Sequence, residues 1–69
     1  MLIKINEMQW INAKRITELK VDFIVSYGHR EWKIKVCTND CEYNYMSYYD
    51  SQRDVIEALE ELAKTINAI

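Results

Sequence analysis

The chain has one glycine and no proline among its 69 residues, so points where the backbone can reverse sharply are few and stand out. With two cysteines and one histidine it lacks the donors of a structural zinc site, which usually takes two ligand pairs. Cys37-Thr38-Asn39-Asp40-Cys41 is a lone C-x3-C. No apolar run exceeds three residues, as in Phe23-Ile24-Val25, and a membrane-spanning helix needs about 20. The start, Met1-Leu2-Ile3-Lys4, has neither the charged opening nor the long apolar stretch of a signal peptide. There is no Asn-x-Ser/Thr acceptor site. These absences predict a cytoplasmic chain with no membrane partner and with both thiols reduced.

What is present belongs to a folded protein. Hydrophobic residues make up 49% and charged residues 29% of the chain, well clear of disordered compositions. The length predicts a single small domain over residues 1–69. A chain of this size buries only about 60% of its unfolded surface, which makes self-association a natural source of stability. The net charge of −2 is unevenly spread: residues 1–39 carry seven basic and four acidic side chains, and residues 40–69 carry two and seven. Such asymmetry can mark a polarised interaction surface; the plainer reading is a solvated acidic helix face.

Alternation and turn chemistry lay out the rest. Gly28 separates two alternating segments, and a Gly28-His29 loop suits a hairpin turn with glycine first. That loop would set Val25 opposite Trp32, Ile24 opposite Lys33, Phe23 opposite Ile34, Asp22 opposite Lys35 and Val21 opposite Val36. The apolar pairs then share one face. Asn39-Asp40 predicts a second reversal, with Val36 opposite Tyr43, Ile34 opposite Tyr45 and Trp32 opposite Ser47. On this register Tyr43 and Tyr45 are core residues, Tyr48 points outward, and Tyr49 at the strand end is free to do either. Ser51-Gln52-Arg53-Asp54 places an N-cap serine three residues before a carboxylate. Val55, Leu59, Leu62 and Ile66 continue as a helical stripe, with Arg53–Glu57 and Glu60–Lys64 as exposed i,i+4 pairs. The helix is expected across Phe23, Ile34 and Tyr45.

Residues 1–15 read best as a strand over Leu2 to Ile5, a turn at Asn6-Glu7, and a second strand over Met8 to Ile11. The alternative is a helix capped by Asn6. That version has the order α-β-β-β-α, which resembles a double-stranded RNA-binding domain in topology. The start of the last helix, however, holds Ser51, Gln52, Arg53 and Asp54 where that family sets lysines. The expected fold class is therefore α+β: an antiparallel β-meander of three main strands, one or two short N-terminal strands, and one C-terminal helix packed on one face.

No constellation calls for catalysis. His29 sits at a turn with only Arg30 and Glu31 beside it, and Glu60-Glu61 and Asp50/Asp54 lie on a helix surface without a pocket to shift them. No catalytic residue, metal or cofactor is expected. The remaining feature is the outer sheet face, where Lys20, Ile24, Lys33, Lys35, Asn44, Met46 and Tyr48 mix cations, apolar groups and an aromatic. A protein interface has this composition, and the expected contact residues are Ile24, Lys33, Lys35, Asn44, Met46, Tyr48 and Tyr49, with Glu57, Glu60 and Glu61 of the acidic helix. Nucleic acid is the rival partner, with Tyr48 stacking on a base and Lys33 and Lys35 following phosphates, although the pI near 5.3 is low for such a module. A homodimer through the edge strand 41–48 or the sheet face is a third reading. A fourth folds Leu2, Ile3, Met8, Trp10 and Ile11 over the outer face as a second core. The small size, acidity and Ile/Lys/Asn/Tyr-rich composition match the general character of phage and mobile-element accessory proteins. The expected role is accordingly a non-enzymatic module that occludes a host protein, as anti-CRISPR inhibitors do.

Overall fold

The structure, a computed structural model, describes residues 1–68; the side chains of residues 46 and 47 lie outside the described set. The fold is α+β, with short N-terminal strands, antiparallel sheets and one C-terminal helix. Strands β1 (Leu2–Asn6) and β2 (Gln9–Asn12) form a two-stranded sheet. A single 3-10 turn over Ala13–Arg15 leads into β3 (Ile16–Ser26), β4 (His29–Thr38) and β5 (Glu42–Tyr49), which pair in that order, and α1 (Gln52–Asn67) closes the chain.

The N-terminal strands form as expected, but they turn at Glu7-Met8 rather than at Asn6-Glu7, because Asn6 pairs with Gln9. The Asn6 side chain shapes that turn: its Oδ1 accepts from the Met8 N–H at 2.9 Å, and its Nδ2 donates to Gln9 Oε1 at 2.9 Å. At the other end the Ala13 N–H donates to the Met1 carbonyl at 2.9 Å. Ile3 and Ile11 face each other and are buried, as is Ile5, while Leu2, Met8 and Trp10 stay exposed. The hairpin does not cover the outer face of the meander. Ile3, Ile5, Ile11 and Ala13 share one core with Ile34 and Val36 of β4 and with Val55 and Leu62 of α1. The apolar side of a two-stranded ribbon needs a partner layer, and this shared core supplies it, with β1 lying against β5.

The first reversal of the meander is at Tyr27-Gly28, not at Gly28-His29. Both residues have positive φ, 48° and 82°, the pattern of a type I′ turn, whose twist matches that of the flanking strands. The pairs become Ser26–His29, Val25–Arg30, Ile24–Glu31, Phe23–Trp32, Asp22–Lys33, Val21–Ile34, Lys20–Lys35 and Leu19–Val36. Pairing has moved by two residues from the expectation, and since side chains alternate with period two the faces are unchanged. The second reversal is as expected, with Lys35 opposite Asn44, Val36 opposite Tyr43 and Cys37 opposite Glu42. Thr38 and Cys41 close it, the Thr38 N–H donating to the Cys41 carbonyl at 2.9 Å. Beyond Asn44 the register shifts, so that Lys33 meets Tyr48 and Trp32 meets Tyr49 rather than Ser47. A bulge of this kind bends a strand and increases its twist. As a shift of two it leaves the faces unchanged, and Tyr49, alternating with Tyr43 and Tyr45, turns inward, half-buried against the core.

The helix begins where its cap places it. Ser51 is extended (φ −135°, ψ 155°) and its hydroxyl accepts from the Asp54 N–H at 3.1 Å, filling one of the open donors of the first turn. Val55 and Leu62 are buried, and Ala58, Leu59 and Ile66 pack beside them. Arg53 and Glu57 pair at 3.5 Å as expected, but Lys64 pairs with Glu61 at 3.8 Å and not with Glu60. The helix covers Ile34 and not Phe23, which is 42% exposed. Length explains the difference: an 11-residue strand spans about 36 Å and a 16-residue helix about 24 Å. The tip of the β3–β4 hairpin therefore runs past the helix, and the molecule is elongated, 38 × 21 × 20 Å.

Ile34→Ala, which empties a fully buried site, should cost about 2–5 kcal/mol in denaturant unfolding, whereas Met8→Ala at a 90% exposed turn position should stay within about 0.5 kcal/mol. At the hairpin turn nothing lies within 4 Å of a β-carbon built on Gly28, so only its positive φ opposes a side chain; Gly28→Ala should cost about 1–2 kcal/mol, and Tyr27→Asn should gain up to about 1 kcal/mol.

Candidate functional site

The face of β3, β4 and β5 turned away from the core stays open, because the helix and the N-terminal hairpin both cover the opposite side. Its rows run Glu18–Cys37–Glu42, Lys20–Lys35–Asn44, Asp22–Lys33–Tyr48 and Ile24–Glu31. Of the expected contact residues, Ile24, Lys33, Lys35, Asn44 and Tyr48 are brought together here. Tyr48 is 59% and Ile24 39% exposed. The side chain of Met46 lies outside the described residues, and Tyr49 belongs to the other face. Glu57, Glu60 and Glu61 are exposed on α1, on the far side of the core, and do not form one surface with the sheet residues. Arg53 holds Glu57 and Lys64 holds Glu61, which softens the acidity of that helix face.

Electrostatics on the open face are locally balanced. Glu42 is the hub: its carboxylate lies 3.3 Å from Lys20 Nζ and 3.4 Å from Lys35 Nζ. Lys20 also approaches Glu18 at 3.8 Å, and Lys35 approaches Asp22 at 3.9 Å. Among the described residues Lys33 has no ion pair, and it sits beside the ring of Tyr48 in register. The hydrogen bond and positive charge of Lys20, followed by those of Lys35, hold the Glu42 carboxyl below its ordinary range. Reciprocally, the hydrogen bond to Glu42 and its charge raise Lys20, with Glu18 adding to the effect. Beneath these chains Cys37 is buried, while Cys41 is exposed, and both are free thiols. Counted across the rows, four carboxylates stand against three lysines. A groove that tracks phosphate needs an excess of cations, and this face has none.

Three features escaped the sequence reading. Leu2 and Trp10 are 60% and 58% exposed on the outward side of the N-terminal hairpin; that both alternate with buried isoleucines is visible in the sequence, but not that no described residue covers them. At the hairpin tip Tyr27 is fully exposed, and on the inner face Phe23 and Trp32 meet at 5.2 Å with Arg30 stacked 4.6 Å from the Phe23 ring centre. Finally, an open apolar groove of about 480 Å³ runs between β1, Tyr45 and Tyr49 of β5, and Ala58 and Leu62 of α1. Burial, with the charge of Tyr49 as a lesser cause, raises Tyr45 above the ordinary tyrosine range.

No family model matches the chain, no curated protein matches it, and no solved structure matches it. No helix among the described residues is long and apolar enough to cross a membrane.

The Glu42 hub gives a signed expectation. A carboxylate whose value is depressed by folding contributes stability above its ordinary range and loses it as pH falls through the depressed value. Carboxyl-carbon NMR should place the Glu42 midpoint below 4.5, and Lys20→Ala should move that midpoint back up, since Lys20 is the largest cause.

Proposed function

We propose that this chain is a non-enzymatic protein-binding module whose outer sheet face, centred on Ile24, Lys33 and Tyr48, covers part of another protein's surface. The observation that supports it most directly is the one-sided burial: all covering elements lie on one side of the meander, leaving three strands bare on the other. The bare face combines an exposed tyrosine, an exposed isoleucine and mutually paired charges. Aromatic anchors amid balanced polar groups suit a protein partner. Paired charges of both signs also penalise a partner whose own charges do not match.

The strained turn supports the same reading. Tyr27 is bulky, holds a left-handed φ, and is fully exposed, so it gains nothing from burial in return for its strain. Residues held against local preference gather at functional positions. The mode of action that fits is steric occlusion, in keeping with the expected inhibitor of a host protein. Nucleic acid is the weaker reading, because Lys20 and Lys35 are already neutralised by Glu18, Asp22 and Glu42.

Affinity capture with Tyr48→Ala and Ile24→Asp tests the proposal. Each should reduce recovery of the partner at least about tenfold, the loss of one interface anchor, while the unfolding midpoint stays near that of the parent chain. Trp10→Ala, on the opposite side of the core, should leave recovery unchanged; loss of the partner in that variant alone would place the contact on the N-terminal hairpin. Salt-sensitive binding of labelled DNA or RNA, abolished by Lys33→Glu with Lys35→Glu, would instead establish the nucleic-acid reading.

A further inference from the structure

We infer that β3 pairs antiparallel with β3 of a second copy of this chain about a twofold axis at Val21, joining two three-stranded sheets into one of six. The inference goes beyond the binding proposal and does not depend on which partner the outer face takes. β3 has β4 on one side only, while β1 lies against β5 at the opposite edge. The longest strand of the molecule therefore has an open side.

Backbone phase decides which residues point there. In a two-residue hairpin the pair flanking the turn exchanges hydrogen bonds, and such pairs recur at every second residue. Ser26, Ile24, Asp22 and Lys20 thus direct their N–H and C=O groups at β4, and Val25, Phe23, Val21 and Leu19 direct theirs at the open edge. One contact confirms this phase independently. The Phe23 N–H donates to Asp22 Oδ1 at 2.8 Å, a local substitute for a neighbouring strand.

Charge and the bulge between Ile16 and Glu18 together select one register: an axis at Leu19 would also oppose unlike charges, Lys20 against Glu18, but would draw that bulge into the paired segment. With Val21 opposite its own copy, Lys20 meets Asp22 of the second copy twice, and Leu19 meets Phe23 twice. A slip of two residues in either direction sets Asp22 against Asp22 or Lys20 against Lys20, and like charges directly opposed are destabilising. The bulge between Ile16 and Glu18 would disturb pairing only at the far end, outside the 18–24 segment that this register uses.

Shape agrees with charge. An axis at Val21 runs perpendicular to the sheet, so both helices lie on one side of it. Phe23 of each copy, 42% exposed, then comes alongside Leu19 at the β3 start of the other. A groove of about 160 Å³ waits there, lined by Ile16, Leu19, Ala63 and Ile66. Opposed side chains stand about 5 Å apart, which brings each Phe23 ring to the mouth of that groove. The tip that outruns its own helix is covered by the C-terminal end of the other copy's helix. For so short a chain, this supplies apolar burial that one copy cannot.

Sedimentation velocity over a wide concentration range, with far-UV circular dichroism as a folding control, tests the inference. The parent chain should show a species of twice the 8.3 kDa chain mass. Asp22→Lys should weaken association at least about tenfold, since it replaces two attractive cross-strand pairs by two repulsive ones. Val21→Pro removes an N–H that points away from β4 and should abolish association while the chain stays folded; if that variant unfolds, Asp22→Lys decides. In a Cys41→Ser background, Val21→Cys should be cross-linked by a short bis-maleimide, because the opposed α-carbons stand about 5.5 Å apart, and Ile24→Cys, about 20 Å from its copy in this register, should not. A parent chain that remains monomeric, or a dimer that survives Asp22→Lys unweakened, overturns the inference.

Discussion

Everything in this molecule depends on the one-sided burial of β4. Ile34 and Val36 are fully buried, and the residues on either side of each, Lys33, Lys35 and Cys37, point the other way. A chain of 69 residues can close one core and not two, since its buried fraction is near the lower limit for independent folding. The helix contributes Val55 and Leu62 to that core, and the N-terminal hairpin contributes Ile3, Ile5 and Ile11. With both used on the same side, no element is left to cover the other. The open face is thus a consequence of core size, and any binding role it has is built on what the core could not cover.

The faces of the strands were legible in the sequence, and the exact pairings were not, for one physical reason. Apolar alternation has period two, so it fixes which side a residue takes but is blind to slips of two. Gly28 marked the reversal correctly. Glycine serves as the first loop residue in one turn type and as the second in the other. The structure uses the second option and accepts a tyrosine at a left-handed position, a residue that local preference would not put there. The β5 bulge was invisible for a related reason: residues 45–47 are all compatible with a strand, and nothing marks the extra ones. By contrast the helix start was fully legible, because Ser51 and Asp54 carry a side-chain hydrogen bond at a fixed spacing.

The candidate site was legible as a set of residues and misjudged as an electric field. Lys20, Lys33 and Lys35 share a face, as alternation requires, and read alone they suggest a cationic track. The second reversal sets Glu42 opposite Cys37, diagonal to Lys35 and within reach of Lys20. Asp22 and Glu18 arrive from β3. A charge count along one strand says little about a sheet, where every residue has neighbours two strands away; the count has to be taken across the rows. Taken that way the face is nearly neutral, and the imbalance between the halves of the chain disappears from it.

The two proposed surfaces coexist because of the symmetry that alternation imposes. An isologous pair made through strand edges has its axis perpendicular to the sheet, so the two open faces point the same way and form one continuous surface. Each copy would present Tyr48 and Lys33 well away from the shared edge, on the β4 and β5 strands that the pairing leaves untouched. A partner met by both copies at once would be held by two contacts, the second forming at high effective concentration. The strained Tyr27 tips lie at opposite ends of that surface, since antiparallel pairing sends the two hairpins in opposite directions. A long β3–β4 hairpin on a short helix is wasteful in a solitary chain, because it leaves Phe23, Val25 and Tyr27 in water. In a pair it covers Phe23 and widens the binding surface by the same step.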